Sequence, residues 1–457
     1  MNNLKSIAKA DVQMQLADFA ANGDLTQMPE NAWNTAIQQI IDTIAVGWAG
    51  SNADGVAQAA ELAIEDSSQH CALLWGREES VSAAQASFVN GVAAAALDYD
   101  CVHQESLLHP AAITVPIALA LASEVNASGE KLIAAHIIGS EFMCRLSMAT
   151  PRQSNWFAGS IYGIFGATAC AGYLLDLSPQ QMQNAFGLAL AQTSGTKQAI
   201  TERKLAKRFQ TAFAARSGVL SARLALRGVT AANNWLDGTA GLFALYEAGD
   251  PMLAVHDLGN SFTFDQATIK KYPSCLCTHV VIDGVCRLLQ DNNVAINDVS
   301  SIDTTITKYM SRIVGARYEP GDNPQVAAQF SAAYTAACAL TRGGVTLADI
   351  EMKAATDPQR VELAQSISVT TFDDIDGHVA PAKVSLTLKN GITHSIDVTE
   401  VPNAANGPDA DNILRRKSID CFTRGQTPLS EASANELVNR LLELRARTNV
   451  RDLFDNL

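Results

Sequence analysis

The sequence predicts a mainly α protein: a discontinuous all-helical domain, residues 1–264 and 401–457, with a smaller α+β lid domain, residues 265–400, inserted into it. Three observations carry this. Through roughly the first 260 positions, apolar residues recur at helical spacing. Around Gly259 the texture changes to period-two alternation dense in β-branched residues. Composition agrees, since aromatics are only 6% of an Ala-rich chain, and small side chains let helix backbones approach closely. At 457 residues the chain is also long for one hydrophobic core.

In Glu30 to Trp48, the residues Trp33, Ile37, Ile40, Ile41 and Ile44 form one apolar stripe. Ala111–Val125, Leu132–Met148, Ser178–Gln192 and Phe209–Leu226 repeat the pattern. Ser178-Pro179 is an N-cap followed by Pro at the first helical position, and Gly228 is placed to stop the helix before it. From Asn155 to Leu175 there is no charge, a length that raises a membrane span. Four glycines, Ser160, Tyr162 and Thr168 interrupt it, and Asp176 rather than a basic flank ends it, which predicts a helix buried by other helices.

In the second unit Ile302, Thr304 and Ile306 alternate, as do Ile367, Val369 and Thr371. Val384, Leu386 and Leu388, then Asn390-Gly391, then Ile392, His394, Ile396 and Val398 predict a β-hairpin. Ala327–Leu340 reads as a helix between the strands. Pro402–Asn412 is a polar connection, after which Leu437, Leu441, Leu442 and Leu444 mark a return to helix.

Formal net charge is −14. Such a surface repels nucleic acid and anionic membrane, so neither is expected as a partner. A polyanionic substrate would need cations concentrated locally. Nine cysteines, odd in number and scattered, argue against a disulfide framework, and the N-terminal residues lack a secretory apolar core; a reducing cytoplasm is expected.

Three segments could carry chemistry. Asp98, Asp100, His103 and His109 place two carboxylates and two imidazoles within a dozen residues, a set suited to proton transfer. Its bland reading is an acidic helix cap beside surface histidines. Arg203, Lys204, Lys207 and Arg208 offer fixed positive charge, where a solvated loop is the alternative. Cys275, Cys277 and His279 invite a metal, yet no second ligand pair matches them, so none is expected. The phosphate-binding glycine loops and the nucleophile elbow are absent from the sequence.

Order and spacing of these segments together resemble the MmgE/PrpD family over nearly the whole chain. Asp42-Thr43-Ile44-Ala45-Val46 is similar to its early helix, and Phe88-Val89-Asn90-Gly91 with Ala96-Leu97-Asp98-Tyr99-Asp100 to its best-defined signature. His109-Pro110, Lys207 eleven residues before Gly218, and Lys270 three before Pro273 fit further motifs. Phe330-Ser331, Gly343-Gly344-Val345 and the 384–398 hairpin fit its second domain. The resemblance implies a homodimer acting on a small polycarboxylate without metal or organic cofactor. Dehydration of 2-methylcitrate, decarboxylation of cis-aconitate and epimerisation of iminodisuccinate all occur in that family. A lyase is the first reading for this chain; an isomerase or epimerase of a related dicarboxylate, and a binding protein without turnover, are the alternatives.

Carried over residue by residue, Asp98, His109, Lys207 and Lys270 take the catalytic positions. His109 or Asp98 would move the proton, and the two lysines, one from each domain, would hold carboxylates and stabilise an enolate-like state, lid closure bringing Lys270 in. Asp100, His103, Phe157, Gln210, Cys275 and Tyr318 are expected to contact substrate. The chain also departs from the pattern. Cys101 and Val102 replace an acid and a hydroxyl, while Phe157 and Gln210 stand where imidazoles are usual, with His103 a candidate substitute. An apolar Phe157 makes an unpaired carboxylate there costly. The expectation is therefore weak turnover of 2-methylcitrate and cis-aconitate, and better activity on an acid less polar at that position.

Overall fold

Small residues set the central helix crossing. The computed structural model describes residues 2–457 apart from Gln27, 152–154 and 406–408. In it the helix Gly163–Leu174 lies between Gly129–Met148 and Ala206–Leu226. A Cβ on Gly139 would sit 2.7 Å from the Gly166 carbonyl oxygen, and one on Gly218 would overlap Ala167. The expected uncharged helix is thus real but short, 12 residues preceded by the turn Ala158–Ile161, and it is walled by protein. Among the described residues no helix is long and apolar enough to cross a membrane.

Around this centre, Ala83–Ala96 packs on Ala206–Leu226, Pro110–Val125 and Glu30–Gly50. The C-terminal helices Ala410–Phe422 and Glu431–Leu442 pack back onto Glu30–Gly50. Two termination signals read from the sequence form as written. Ser178 caps Pro179–Leu190 in a reciprocal capping box with Gln181. Gly228, at φ 86°, closes a Schellman motif, its N–H bonding Ala225 O while Val229 N–H bonds Leu224 O.

The second half carries a four-stranded sheet in the order Ser368–Thr371, Val299–Ile306, Ala382–Leu388, Thr393–Val398. The first pair is parallel and the others antiparallel. Leu276–Asp291 lies against the last two strands, and Ala332–Arg342 packs on that helix. The molecule is mainly α, as expected.

Local details differ from expectation. The hairpin forms, but its loop is three residues, Lys389 to Gly391, with Gly391 alone at positive φ (87°). Leu388 N–H bonds Ile392 O, and Gly391 N–H bonds Leu388 O, which is a type I turn with a glycine bulge. The helix expected over 327–340 is two helices, Pro324–Gln329 and Ala332–Arg342. Ser331 breaks it by capping the second, its hydroxyl accepting from Tyr334 N–H at 3.1 Å. Of the predicted connection 402–412, residues 406–408 lie outside the described residues.

One buried pair fixes the chain on its way to the sheet. Glu141 Oε2 accepts from Thr263 N (2.7 Å) and Phe264 N (2.9 Å), while its Oε1 pairs with Arg145 Nε at 2.6 Å. Arg145 in turn donates to the carbonyls of His256 and Ser261, both at 2.6 Å. Removing the carboxylate strands a buried guanidinium. Glu141→Ala should therefore lose about 3–5 kcal/mol in chemical denaturation; a loss below about 1 kcal/mol would show that the pair does not anchor this segment.

Candidate active site

The helix Ala83–Ala96 ends at Leu97, and Asp98 turns the chain in the left-handed region at φ 50°. For a non-glycine residue this conformation costs about 1–3 kcal/mol unless its surroundings hold it. They do. Asp98 Oδ1 lies 2.6 Å from Lys207 Nζ, and Oδ2 lies 3.0 Å from Lys270 Nζ. Lys270 also donates to the Asp98 carbonyl at 2.6 Å, so one ammonium binds both the side chain and the strained backbone. Lys207 comes from the first turn of Ala206–Leu226. Lys270 follows the two-residue strand Ala267–Thr268, which pairs with Val102–His103, and bridges to Asn403. Burial pushes the Asp98 carboxyl up, but Lys207, Lys270 and His109 outweigh it and hold it well below the usual range.

Beside it, Asp100 Oδ2 lies 2.7 Å from His109 Nδ1. Burial raises Asp100, and His109 and Lys270 more than reverse that. The Asp100 carboxylate accepts from Nδ1–H and so fixes the orientation of the ring. Among the described residues Nε2 has no hydrogen-bond partner. Beneath both, Lys417 Nζ is 2.6 Å from Asp42 Oδ1, donates to the carbonyls of Tyr99 and Lys270 at 2.9 Å each, and sits 3.7 Å from the Tyr99 ring centroid. Three carboxylates, three lysines and one histidine thus share one buried web.

Above the web opens a cavity of about 930 Å³, within the size of small-ligand sites. Asp98 and Lys207 face it, as do Trp156, Phe157, Ile313 and Phe330, with Tyr309, Arg312 and His378 on the sheet-bearing side. The Lys207 ammonium lies 5.4 Å from the Phe330 ring centroid, so the helix break at Ser331 helps build this wall.

The structure divides the expected residues. Asp98, Lys207 and Phe157 line the cavity; Lys270, Asp100 and His109 stand in the web behind it. Cys275 caps Leu276–Asp291, its N–H bonding Gln329 O. The Cys275 thiol is held low, first by a hydrogen bond with Cys277 and also by Lys270. Cys277 and His279 lie in that helix rather than on a strand, and among the described residues no group of three or more His, Cys, Asp and Glu could hold a metal ion.

Of the expected substrate contacts Phe157 lines the cavity; Cys275 does not, and three others are bonded elsewhere. His103 is buried, Nδ1 accepting from Ser106 N–H and Nε2 donating to Thr263 O, so it does not supply an imidazole to the cavity. Gln210 donates to Thr196 O at 2.7 Å. The Tyr318 hydroxyl donates to Ala355 O at 2.7 Å inside the sheet-bearing half. Sequence reading missed Asp42 and Lys417. A carboxylate amid the apolar stripe Ile37–Ile44 was a usable signal for Asp42; nothing local marked Lys417. It also missed Tyr309, Arg312 and His378.

The two lysines are not equivalent in this structure: Lys207 lines the cavity, and Lys270 lies in the web behind it. The Lys270 side chain is 1% exposed and that of Lys207 18%. Lys270→Met should cost about 3–5 kcal/mol of stability by leaving Asp98 buried and half-paired, and Lys207→Met distinctly less. Asp98 and Asp100 titrate lower folded than unfolded. Their pairing therefore contributes fully above about pH 4 and is lost as pH falls below it. Lys270→Met should shrink that acid limb. Equal melting temperatures for the two variants, or an unchanged acid limb, would contradict this geometry.

Comparison with known proteins identifies the family. The MmgE/PrpD N-terminal domain matches residues 14–253, and the MmgE/PrpD C-terminal domain matches 272–444. A cis-aconitate decarboxylase-like protein, oryM, of Aspergillus oryzae is 26% identical over 98% of both chains. A cis-aconitate decarboxylase of Aspergillus terreus is 24% identical over 98% of this chain and 96% of its own. The human cis-aconitate decarboxylase is 26% identical over 78% of this chain and 76% of its own. The chain belongs to the MmgE/PrpD family.

Proposed function

We propose that this protein is a cofactor-independent lyase that breaks a carbon–oxygen or carbon–carbon bond next to a carboxylate of a small di- or tricarboxylic acid. The observation that carries the reading is the Asp98–Lys207 ion pair on the cavity wall, with the Asp100–His109 pair in the web behind it. The names of the relatives support the lyase class.

The residues divide the work. Asp98 is held ionised between two cations, which makes it a poor proton carrier, so its task is to fix Lys207. Lys207 donates one hydrogen to Asp98 and keeps two for a substrate carboxylate. As the bond breaks, the electron pair spreads onto that carboxylate, and Lys207 with Lys270 behind it stabilises the added charge. When water is eliminated, His109 Nε2 takes the carbon-bound proton. The C–H electron pair passes through the carboxylate-stabilised carbanion into the new double bond, hydroxide leaves the neighbouring carbon, and the His109 imidazolium gives it the proton to make water. When carbon dioxide is lost, the C–C electron pair stays on the carbanion, and His109, having first taken a proton from water, donates it there. The sheet-bearing half, residues 265–400, acts as the lid that excludes water and strengthens these charge interactions.

Replacing the proton carrier should separate chemistry from binding. His109→Gln should lower turnover by about 10²- to 10⁴-fold with acid affinity nearly unchanged, measured by product mass spectrometry and calorimetry. Wild-type turnover in that variant would remove His109 from the mechanism. With Phe157 on the wall, cis-aconitate and 2-methylcitrate should be slow, and an alkyl-substituted analogue faster. Turnover of either natural acid at about 10 per second would show that the apolar wall is no barrier.

A further inference from the structure

In a chain with 47 acidic and 33 basic residues, a cation that lines the cavity without a carboxylate partner is open to an anionic ligand. Most cations at the cavity are engaged. Lys207 pairs with Asp98, Lys204 with Asp322 at 3.3 Å, and Arg208 donates to the Asp54 carbonyl and to Gln325. Arg203 and Arg312 differ. Both line the cavity, and among the described residues neither guanidinium has a carboxylate within 4.0 Å or a hydrogen bond. Among the described residues, Arg312 has the Tyr309 ring 5.8 Å away.

Their backbone settings are independent of each other. Arg312 sits in the last turn of Lys308–Val314, in the sheet-bearing half. Arg203 follows Gln198–Thr201 in the helical half, at φ 52°. A long side chain in the left-handed region is uncommon, and such strain concentrates at ligand sites. The Arg203 carbonyl accepts from Asn323 Nδ2 at 3.4 Å, which ties this turn to the opposite half beside the cavity. The carboxylates lining the cavity do not neutralise the pair: Asp98 belongs to the lysines, Glu247 accepts from the Tyr162 hydroxyl, and Asp376 lies beyond 4.0 Å of either guanidinium.

We infer that Arg203 and Arg312 form a second anion subsite, taking the carboxylate of the substrate that does not react. The inference rests on the reading of the cavity as a polycarboxylate site. Two planar forks from opposite halves suit one carboxylate, each able to give two parallel N–H bonds. The subsite makes the cavity select diacids and triacids over monoacids, and it couples ligand binding to the approach of the two halves.

Calorimetry on the full chain with citrate, succinate and butyrate tests this. Wild type should bind citrate and succinate more tightly than butyrate. Arg203→Gln and Arg312→Gln should each weaken citrate and succinate by roughly 10- to 100-fold and leave butyrate unchanged, with Arg→Lys restoring part of the loss. Arg317→Gln removes the same charge from an exposed residue that contacts Gln365 and does not line the cavity; it should change none of the affinities. Equal weakening by Arg317→Gln would reduce the effect to long-range charge and overturn the subsite. If wild type binds butyrate as tightly as succinate, the subsite falls while the acid-binding reading stands. If wild type binds none of the acids, both fall.

Discussion

Everything around the cavity depends on one carboxylate held by two ammonium groups. Asp98 stands where a helix stops, in a backbone conformation that L residues seldom adopt. Lys207 reaches it from 109 positions along the chain and Lys270 from 172. Neither cation could be desolvated there alone, and neither could the carboxylate. The mutual attraction holds only when three distant segments arrive together. Lys270 makes the coupling tighter by bonding the Asp98 carbonyl as well, and Lys417 continues it by bonding the carbonyl of Lys270.

The constraint also sorts three similar carboxylates into different tasks. Asp42, paired with Lys417, has its carboxyl raised by burial against that partner. Asp98, between two cations, is fixed as an anion and can anchor a lysine. Asp100, beside an imidazole, orients a proton carrier. Environment rather than residue type makes the assignment. The exposure of Lys207 is what links the web to the cavity: it alone of the three lysines faces open space.

Much of this is legible in the amino-acid sequence itself. Helical spacing, Ser178-Pro179 and Gly228 encode local structure, because caps and periodicity act over a few residues. The motif residues 98, 109, 207 and 270 do meet in one web. What escaped was decided by packing at a distance. Ser331 looked like one more helical residue, yet its hydroxyl caps a new helix and so places Phe330 against Lys207. His103 resembled a spare imidazole, but the short strand it sits on directs both ring nitrogens to the backbone. Tyr318 fitted a pocket motif while its hydroxyl found Ala355 inside the core. Lys417 carries no local mark of burial; only the return of its helix onto Glu30–Gly50 gives it Asp42.

The central claim is that Lys207 offers its spare donors to a substrate carboxylate while His109 Nε2 faces the reacting carbon. A crystal structure with a bound, slowly reacting tricarboxylate such as tricarballylate tests it most directly. The account predicts a carboxylate oxygen within hydrogen-bond distance of Lys207 Nζ, about 2.7–3.2 Å, the Asp98 pairings intact, and a methylene carbon next to that carboxylate facing His109 Nε2. A ligand seated away from Lys207, or one that displaces Asp98 from both lysines, would contradict it.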